Sequence, residues 1–215
     1  MEGTYILKSK QILYLLYLIY FVGLAGHIIK DLRPLMLALT PFTLLLTGGI
    51  VLYFTYKQGE LKFLMWCLVI YILTFALEVI GTKTGFVFGN YTYGNTLGPK
   101  LLSVPVIIGF NWVIVILGAI IIAEQIDQNI WLTALLTGTL AVLFDIILEP
   151  VAIKLDYWKW TSGTIPLYNY YSWFGISFIA SLLYDLFKIQ IYERLPESFF
   201  TIQFMFFIFL YVFIN

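Results

Sequence analysis

LLSVPVIIGFNWVIVILGAIIIA, residues 101–123, carries no charged side chain over a length that crosses a bilayer as a helix. Its polar interruptions are Ser103 and Asn111, the second flanked by Trp112. Six further charge-free stretches flank it, at 11–29, 35–56, 63–77, 128–144, 160–184 and 198–215. A helical span needs roughly 20 apolar residues, so the chain is read as seven spans over 11–28, 36–56, 62–81, 103–123, 129–148, 171–190 and 198–214. These leave no room for a separate soluble domain. The expected fold is an all-α, multi-pass membrane helix bundle, with residues 1–215 forming one integral membrane domain. Lys8 and Lys10 precede the first stretch as in a signal peptide, but no small-residue cleavage site follows, so it is read as an uncleaved span.

Composition agrees. Of the 215 residues, 61% are apolar and 11% charged, against about 25% charged in soluble domains. Twelve Lys+Arg balance twelve Asp+Glu. No basic tract exists to follow a nucleic-acid backbone, so no nucleic-acid partner is expected. One Cys, Cys67, excludes an internal disulfide and a thiolate metal cage. One His, His27, excludes multi-histidine iron sites. No metal or cofactor is expected.

Seven spans divide the cations evenly. Lys8, Lys10, Lys57, Lys62, Lys188 and Arg194 fall on one side, and Lys30, Arg33, Lys83, Lys100, Lys154 and Lys159 on the other. The positive-inside rule therefore gives no orientation. The same topology places the two longest loops, about 82–102 and 149–170, on one side, with His27 at that side too.

Those loops and their flanks hold the unusual residues. Gly81, Gly85 and Gly89 recur among Thr and aromatic residues and read as loop-forming. Thr74, Glu78 and Thr82 share a face of the third span, and Ala141, Asp145 and Glu149 a face of the fifth, which Pro150 is expected to stop. An acidic side chain inside a span is costly unless it faces protein or water. Glu78, Asp145 and Glu149 are thus either solvated at the headgroup level or gathered in a functional site, with Lys83 as charge partner of one of them. Tyr91, Tyr93, Tyr157, Trp158, Trp160, Tyr168, Tyr170, Tyr171 and Trp173 form either an interfacial belt or the lining of a cavity for a long apolar ligand or a developing cation. Asn111 reads as helix–helix glue or as a polar point in such a cavity, and His27 as interfacial.

The run Glu78 to Tyr93, then Gly98-Pro99 and Val104-Pro105, Asp145-x3-Glu149-Pro150, Tyr157-Trp158-x-Trp160 and Pro166-x-x-Asn169-x-x-x-Trp173 together resemble the carotenoid biosynthesis hydratases. That family includes bisanhydrobacterioruberin hydratases and γ-carotene 1'-hydratases. The resemblance covers roughly residues 60–185. It implies a multi-pass membrane enzyme that adds water to the terminal ψ-end double bond of a carotenoid drawn from the bilayer. It also implies contact with membrane lipid, association with other enzymes of carotenoid synthesis, and residence in a prokaryotic cell membrane. Two positions depart from the family's pattern: Val87 stands where a Pro between two Phe is expected, and Ser172 precedes Trp173 in place of Gly.

Residue chemistry independently suits this reaction. Hydrating a trisubstituted alkene requires a proton on one carbon and water on the neighbouring tertiary cation, with no redox cofactor. A carboxylic acid in a low dielectric stays protonated and can act as the acid, while a second carboxylate orients water. Asp145 or Glu149 is assigned as acid, Glu78 as water-orienting base and Lys83 as charge partner. Phe86, Tyr91, Asn111, Trp112, Tyr157, Trp158 and Asn169 are assigned to substrate binding.

Four other classes compete with this reading. A transporter or channel would use Glu78, Asp145 and Asn111 as a polar path, but no paired broken helices or inverted halves are visible. A prenyltransferase would need a second acidic cluster, and Asp185 and Glu193 fall on the opposite side. A retinal photoreceptor would need a lysine in the last span, and 198–215 has none. A lycopene cyclase-like enzyme begins with the same protonation but lets an alkene capture the cation. Hydration adds one water to the mass, and cyclisation adds nothing.

Overall fold

The computed structural model describes residues 2–56 and 61–214, with side chains described from residue 10 in the first helix. Lys8 and Lys57, used above in the charge count, lie outside the described side chains. Seven helices are described: α1 (Glu2–Ile28), α2 (Arg33–Thr55), α3 (Leu61–Thr84), α4 (Ile107–Ile126), α5 (Ile130–Lys154), α6 (Leu167–Leu186) and α7 (Leu195–Phe213). The expected all-α bundle is what forms. Six of the helices are long and apolar enough to cross a membrane. The one that falls short is α6, where Asn169, Ser172, Ser177, Ser181 and Asp185 dilute the apolar content.

The residues 101–123 stretch explains the arrangement. Most of it becomes α4, which is apolar on every side and so must be covered on every side. It lies at the centre of the bundle, against α2, α3, α5, α6 and α7. In its most apolar stretch 78% of residues are buried, against 22% for α1 and for α2. Close approach around α4 depends on Gly118, where an added Cβ would sit 2.6 Å from Phe200 Cβ and 2.8 Å from the Pro196 carbonyl oxygen of α7.

Two boundaries differ from expectation in ways that shape the site. Pro150 does not end α5, which continues to Lys154. The helix ends instead in a left-handed turn at Asp156 (φ 57°). There the Tyr157 amide donates to the Ala152 carbonyl at 2.9 Å and the Asp156 amide to the Ile153 carbonyl at 3.3 Å, so the last carbonyls are satisfied without a glycine. Asp156 also pairs with Lys159 at 2.8 Å on the exposed side. As a result Glu149 stays in regular helix, one turn inside the end of α5.

The second difference is a pair of short strands in the two long connections. Strands β1 (Tyr91–Tyr93) and β4 (Trp158–Trp160) pair antiparallel, with Tyr91 opposite Trp160 and Tyr93 opposite Trp158. A second ribbon joins β2 (Lys100–Leu101) to β3 (Val104–Pro105). The β1–β4 ribbon ties the α3–α4 and α5–α6 connections together. Gly85 (φ +72°) and Gly89 (φ +124°) make this possible. An added Cβ would collide with Asn90 Oδ1 at the first, and would meet Pro166 and Trp160 at 2.7 and 2.8 Å at the second.

Gly118→Val is expected to force α4 and α7 apart, at a cost of about 1–3 kcal/mol for an overpacked core. The check is thermal unfolding in detergent, where the variant should melt several degrees below the parent. An unchanged midpoint would show that the α4–α7 contact is not tight.

Candidate active site

Strand alternation and helix periodicity converge on one point. Tyr91 and Tyr93 lie on the same face of β1 because side chains alternate, and Thr92 points out. On β4, Trp158 and Trp160 share a face and Lys159 is exposed. Beneath this ribbon lie the carboxyls of α3 and α5. Glu78, Asp145 and Glu149 are 5%, 0% and 1% exposed, so none is solvated at a headgroup surface.

Each is held by neutral donors. Tyr91 Oη and, at 2.7 Å, Tyr93 Oη donate to Glu78 Oε2, and Trp112 Nε1 donates to Glu78 Oε1 at 2.9 Å. The indoles of Trp158 (3.0 Å) and Trp160 (2.8 Å) both donate to Glu149 Oε2. The Asn169 amide donates to Asp145 Oδ2 at 2.6 Å and reaches Glu149 Oε1 at 3.4 Å. Asp145 Oδ1 has no hydrogen-bond partner among the described residues. Among those residues no Lys, Arg or His forms an ion pair with any of the three.

A cavity of about 440 Å³ opens beside them. Glu78, Glu149, Asn111, Trp112, Tyr157 and Trp158 line it, as do Tyr91 and Asn169; Asp145 sits behind this lining. The aromatic wall is continuous. Trp112 stacks on Trp173 (centroids 3.9 Å apart), Phe88 lies 6.1 Å from Trp112, and Tyr91 lies 5.0 Å from Trp160. The far wall comes from α1, α2 and α7, through residues such as Tyr20, His27, Thr40 and Phe206.

Two assigned residues are not brought here. Lys83 is exposed and makes no ion pair with the carboxyls among the described residues. Five residues separate it from Glu78, about 140° around a helix, so it points to another side. Phe86 is 86% exposed and lines an outer groove with Tyr168 and Tyr171. Phe88, two residues on, is the one that turns inward. Tyr93, Trp160 and Trp173, which the sequence leaves between an interfacial belt and a cavity lining, are at the site, and Phe88, which it does not single out, joins them. The Tyr-x-Tyr and Trp-x-Trp alternations were the signal for Tyr93 and Trp160. The two positions that depart from the hydratase pattern touch each other, Ser172 Oγ donating to the Val87 carbonyl.

A family model described as "Carotenoid biosynthesis protein" matches residues 39–215, most of the chain and the whole carboxyl–aromatic cluster. The chain belongs to the carotenoid biosynthesis protein family. With six apolar helices of spanning length, it is an integral membrane member of that family. A curated relative, bisanhydrobacterioruberin hydratase of Haloarcula japonica, is 30% identical over 122 residues. That match covers 53% of this chain and 42% of the relative, so the chain spans about two-fifths of the relative's length. No solved structure matches the chain. The family's model begins within α2, so α1 contributes its part of the cavity wall from outside the matched residues.

Burial pushes the Tyr91 and Tyr93 phenols well above 10.0, and the neighbouring Glu78 charge adds to this. A folded value raised above the unfolded one means that their contribution to stability is complete below about pH 10 and is lost as pH rises through the folded values. The difference in phenolate absorbance between the parent and a Tyr91→Phe/Tyr93→Phe double variant should therefore appear only well above pH 10, together with loosening of the fold. A difference signal that develops at or below pH 10 would contradict the buried geometry.

Proposed function

We propose that the chain is a carotenoid hydratase that adds water across a terminal ψ-end double bond without a cofactor. One observation carries this reading: two buried carboxyls face an aromatic cavity, a third lies behind them, and only neutral groups hold all three. Burying an ionised carboxylate costs several kcal/mol unless a cation or a full donor set compensates. Three negative charges with no cation nearby are therefore not sustained together, and at least one carboxyl is kept as a neutral acid. The hydratase name of the curated relative and the family membership support the same reaction.

The donor pattern divides the roles. Glu149 Oε2 already accepts from two indoles, which can only donate, while Oε1 receives only the long 3.4 Å contact from Asn169 and so keeps a lone pair that can carry a proton. Glu149 is assigned as the general acid. Its proton goes to the CH carbon of the terminal alkene; the π electrons form the new C–H bond and leave a tertiary cation on the neighbouring carbon. The faces of Trp112, Trp173 and Tyr91 stabilise that cation. Water forms the C–O bond, and its released proton passes to a carboxylate. Glu78, with donors on both oxygens and none needing an acceptor, is assigned as that base. Proton return from Glu78 to Glu149 closes the cycle, so the net change is one added water. Asp145 does not face the cavity. It acts as a positioning residue, sharing Asn169 with Glu149 and opposing a second negative charge four residues away.

The cavity lies within the usual range of about 300–1,000 Å³ for small-ligand sites. It suits one end of a carotenoid, with the remainder of the polyene in the bilayer of a prokaryotic cell membrane. Leu18, Val22 and Leu39 line the cavity yet are 59%, 54% and 42% exposed, which supports a mouth on the exposed apolar surface of α1 and α2.

Purified protein given lycopene or γ-carotene in oxygen-18 water, with oxygen gas excluded, is expected to yield a product heavier by one labelled water. Glu149→Gln and Glu78→Gln should each lower turnover by roughly 10²-fold or more, the scale of lost acid–base catalysis. An unlabelled isomer of unchanged mass would identify a cyclase. Full activity in both variants, each extracting and migrating as the parent does, would remove the carboxyl mechanism.

A further inference from the structure

The α5–α6 interface carries a line of hydroxyls that the hydration mechanism does not use. On α5, Thr133, Thr137, Ala141, Asp145 and Glu149 recur every four residues and share one face. On α6, Asn169, Trp173, Ser177, Ser181 and Asp185 do the same. Two contacts show the helices to be antiparallel and fix their register. The Asn169 amide donates to Asp145 Oδ2 at 2.6 Å, and Ser181 Oγ lies 3.4 Å from Thr137 Oγ1. Ser177 falls between these contacts, opposite the turn that holds Ala141. The two backbones are close there, since a Cβ added at Gly138 would meet the Phe174 carbonyl oxygen at 3.0 Å. Thr133, Thr137, Ala141, Asp145, Ser177 and Ser181 are all buried.

Two polar atoms within this seam stand out. Ser177 Oγ and Asp145 Oδ1 are buried and form no hydrogen bond to the described residues. Thr137, by contrast, donates to the Thr133 carbonyl at 2.8 Å, the usual resort of a helix hydroxyl. A helical side chain leans toward the N-terminus of its own helix. In this antiparallel pair Asp145 therefore leans away from the ribbon end of the bundle and Ser177 leans toward it. The two atoms lean toward each other across Ala141, whose methyl group is too small to separate them.

The other end of the seam reaches a polar cavity of about 1140 Å³, which Thr133 and Ser181 both line. The cavity is formed by the ends of α4 and α6, the start of α5 and the connection that follows α6. Glu124, Gln128, Asp185 and Lys188 line it as well. It lies at the end of the bundle opposite the β1–β4 ribbon, so the hydroxyls run from the far membrane face to the buried carboxyls.

Resting on the reading of Glu149 as the acid, we infer that this seam is a proton path from the far face to the carboxyl pair. A proton entering at the polar cavity moves along Ser181, Thr137 and Ser177, crosses to Asp145 Oδ1 through a bridging water above Ala141, and passes to Glu149 one turn on. Each hydroxyl gives its hydrogen forward and takes one from behind, so no bond is left changed once the proton has passed. Hydration returns its own proton and does not draw on the path at each turnover. The path instead resets an acid left ionised, and it sets how fast the buried pair equilibrates with the aqueous phase at that face.

The test times the entry of deuterium into the carboxyls. The protein in lipid nanodiscs, in alkaline ordinary water, is mixed rapidly into mildly acidic heavy water, and growth of the deuterated carboxyl C=O band is followed by infrared spectroscopy. A carboxyl that starts protonated exchanges, and one that starts ionised takes up deuterium, so the readout needs neither turnover nor a particular starting state. The component followed is the one that Asp145→Asn removes. Ser177→Val and Ser177→Thr fill the same space, and only Ser177→Thr keeps a hydroxyl. Ser177→Val is expected to slow the component by about tenfold, the scale of one lost buried hydrogen bond, while Ser177→Thr stays near the parent rate. Thr137→Val should slow it likewise and decides the matter if the variants at 177 do not fold. Thr139→Val, which removes a hydroxyl from the exposed face of α5, should leave it unchanged. Equal rates in Ser177→Val and Ser177→Thr, or a parent rate in Thr137→Val, would overturn the path and leave the seam as adhesion between helices. Failure to hydrate a carotenoid would leave these rates as they are, so loss of the hydratase reading is seen separately.

Discussion

Three carboxyls sit within an apolar bundle with only neutral donors around them. Lipid and aliphatic side chains cannot solvate a charge, so every donor aimed at Glu78, Asp145 and Glu149 has to be supplied by the fold. The β1–β4 ribbon brings two phenols and two indoles down onto the ends of α3 and α5. The centre of the bundle supplies Trp112 from α4, and α6 supplies Asn169. Elements that look like decoration on a helical bundle are thereby explained. The left-handed turn at Asp156 releases β4 at the right point, and the positive-φ glycines 85 and 89 return the chain from α3 toward the same place.

The same constraint separates ligand chemistry along the cavity. At one wall, acids and aromatic faces suit a proton donor and a transient cation. At the other, side chains of α1, α2 and α7 close the space with few polar groups. Between them the lining is apolar, and half-exposed Leu and Val residues lead outward to lipid. A long, neutral, mostly hydrocarbon molecule matches this division. An ion or a water-soluble substrate does not.

Much of this was legible in the sequence, for definite reasons. Four-residue spacing put Asp145 and Glu149 on one helix face, and chain parity put Glu78 at the same end of the bundle. Of the residues the sequence suggests for substrate binding, Tyr91, Asn111, Trp112, Tyr157, Trp158 and Asn169 line the cavity. What failed was local geometry. Proximity in sequence makes Lys83 look like a partner of one of the three carboxyls, but helical rotation turns it away from Glu78 and it is exposed. Phe86 was preferred to Phe88 because the turn after α3 has no periodicity from which to choose an inward residue. Pro150 was given the power to stop a helix that packing along α6 and a favourable turn at Asp156 carry four residues further. His27 reads as interfacial because an isolated histidine lies at a span end, yet the fold buries it edge-on against Phe206 of α7.

This site, where no cation pairs with the three carboxyls among the described residues, is taken to hold a neutral carboxylic acid at neutral pH. Infrared spectroscopy of the protein in nanodiscs tests it directly, since a protonated carboxyl has a C=O stretch separate from that of a carboxylate and from the amide bands. The account predicts such a band at pH 7 that shifts on transfer to heavy water and is lost or displaced in Glu149→Gln or Asp145→Asn. A spectrum at pH 7 with no protonated-carboxyl band, or one that neither variant alters, would contradict it.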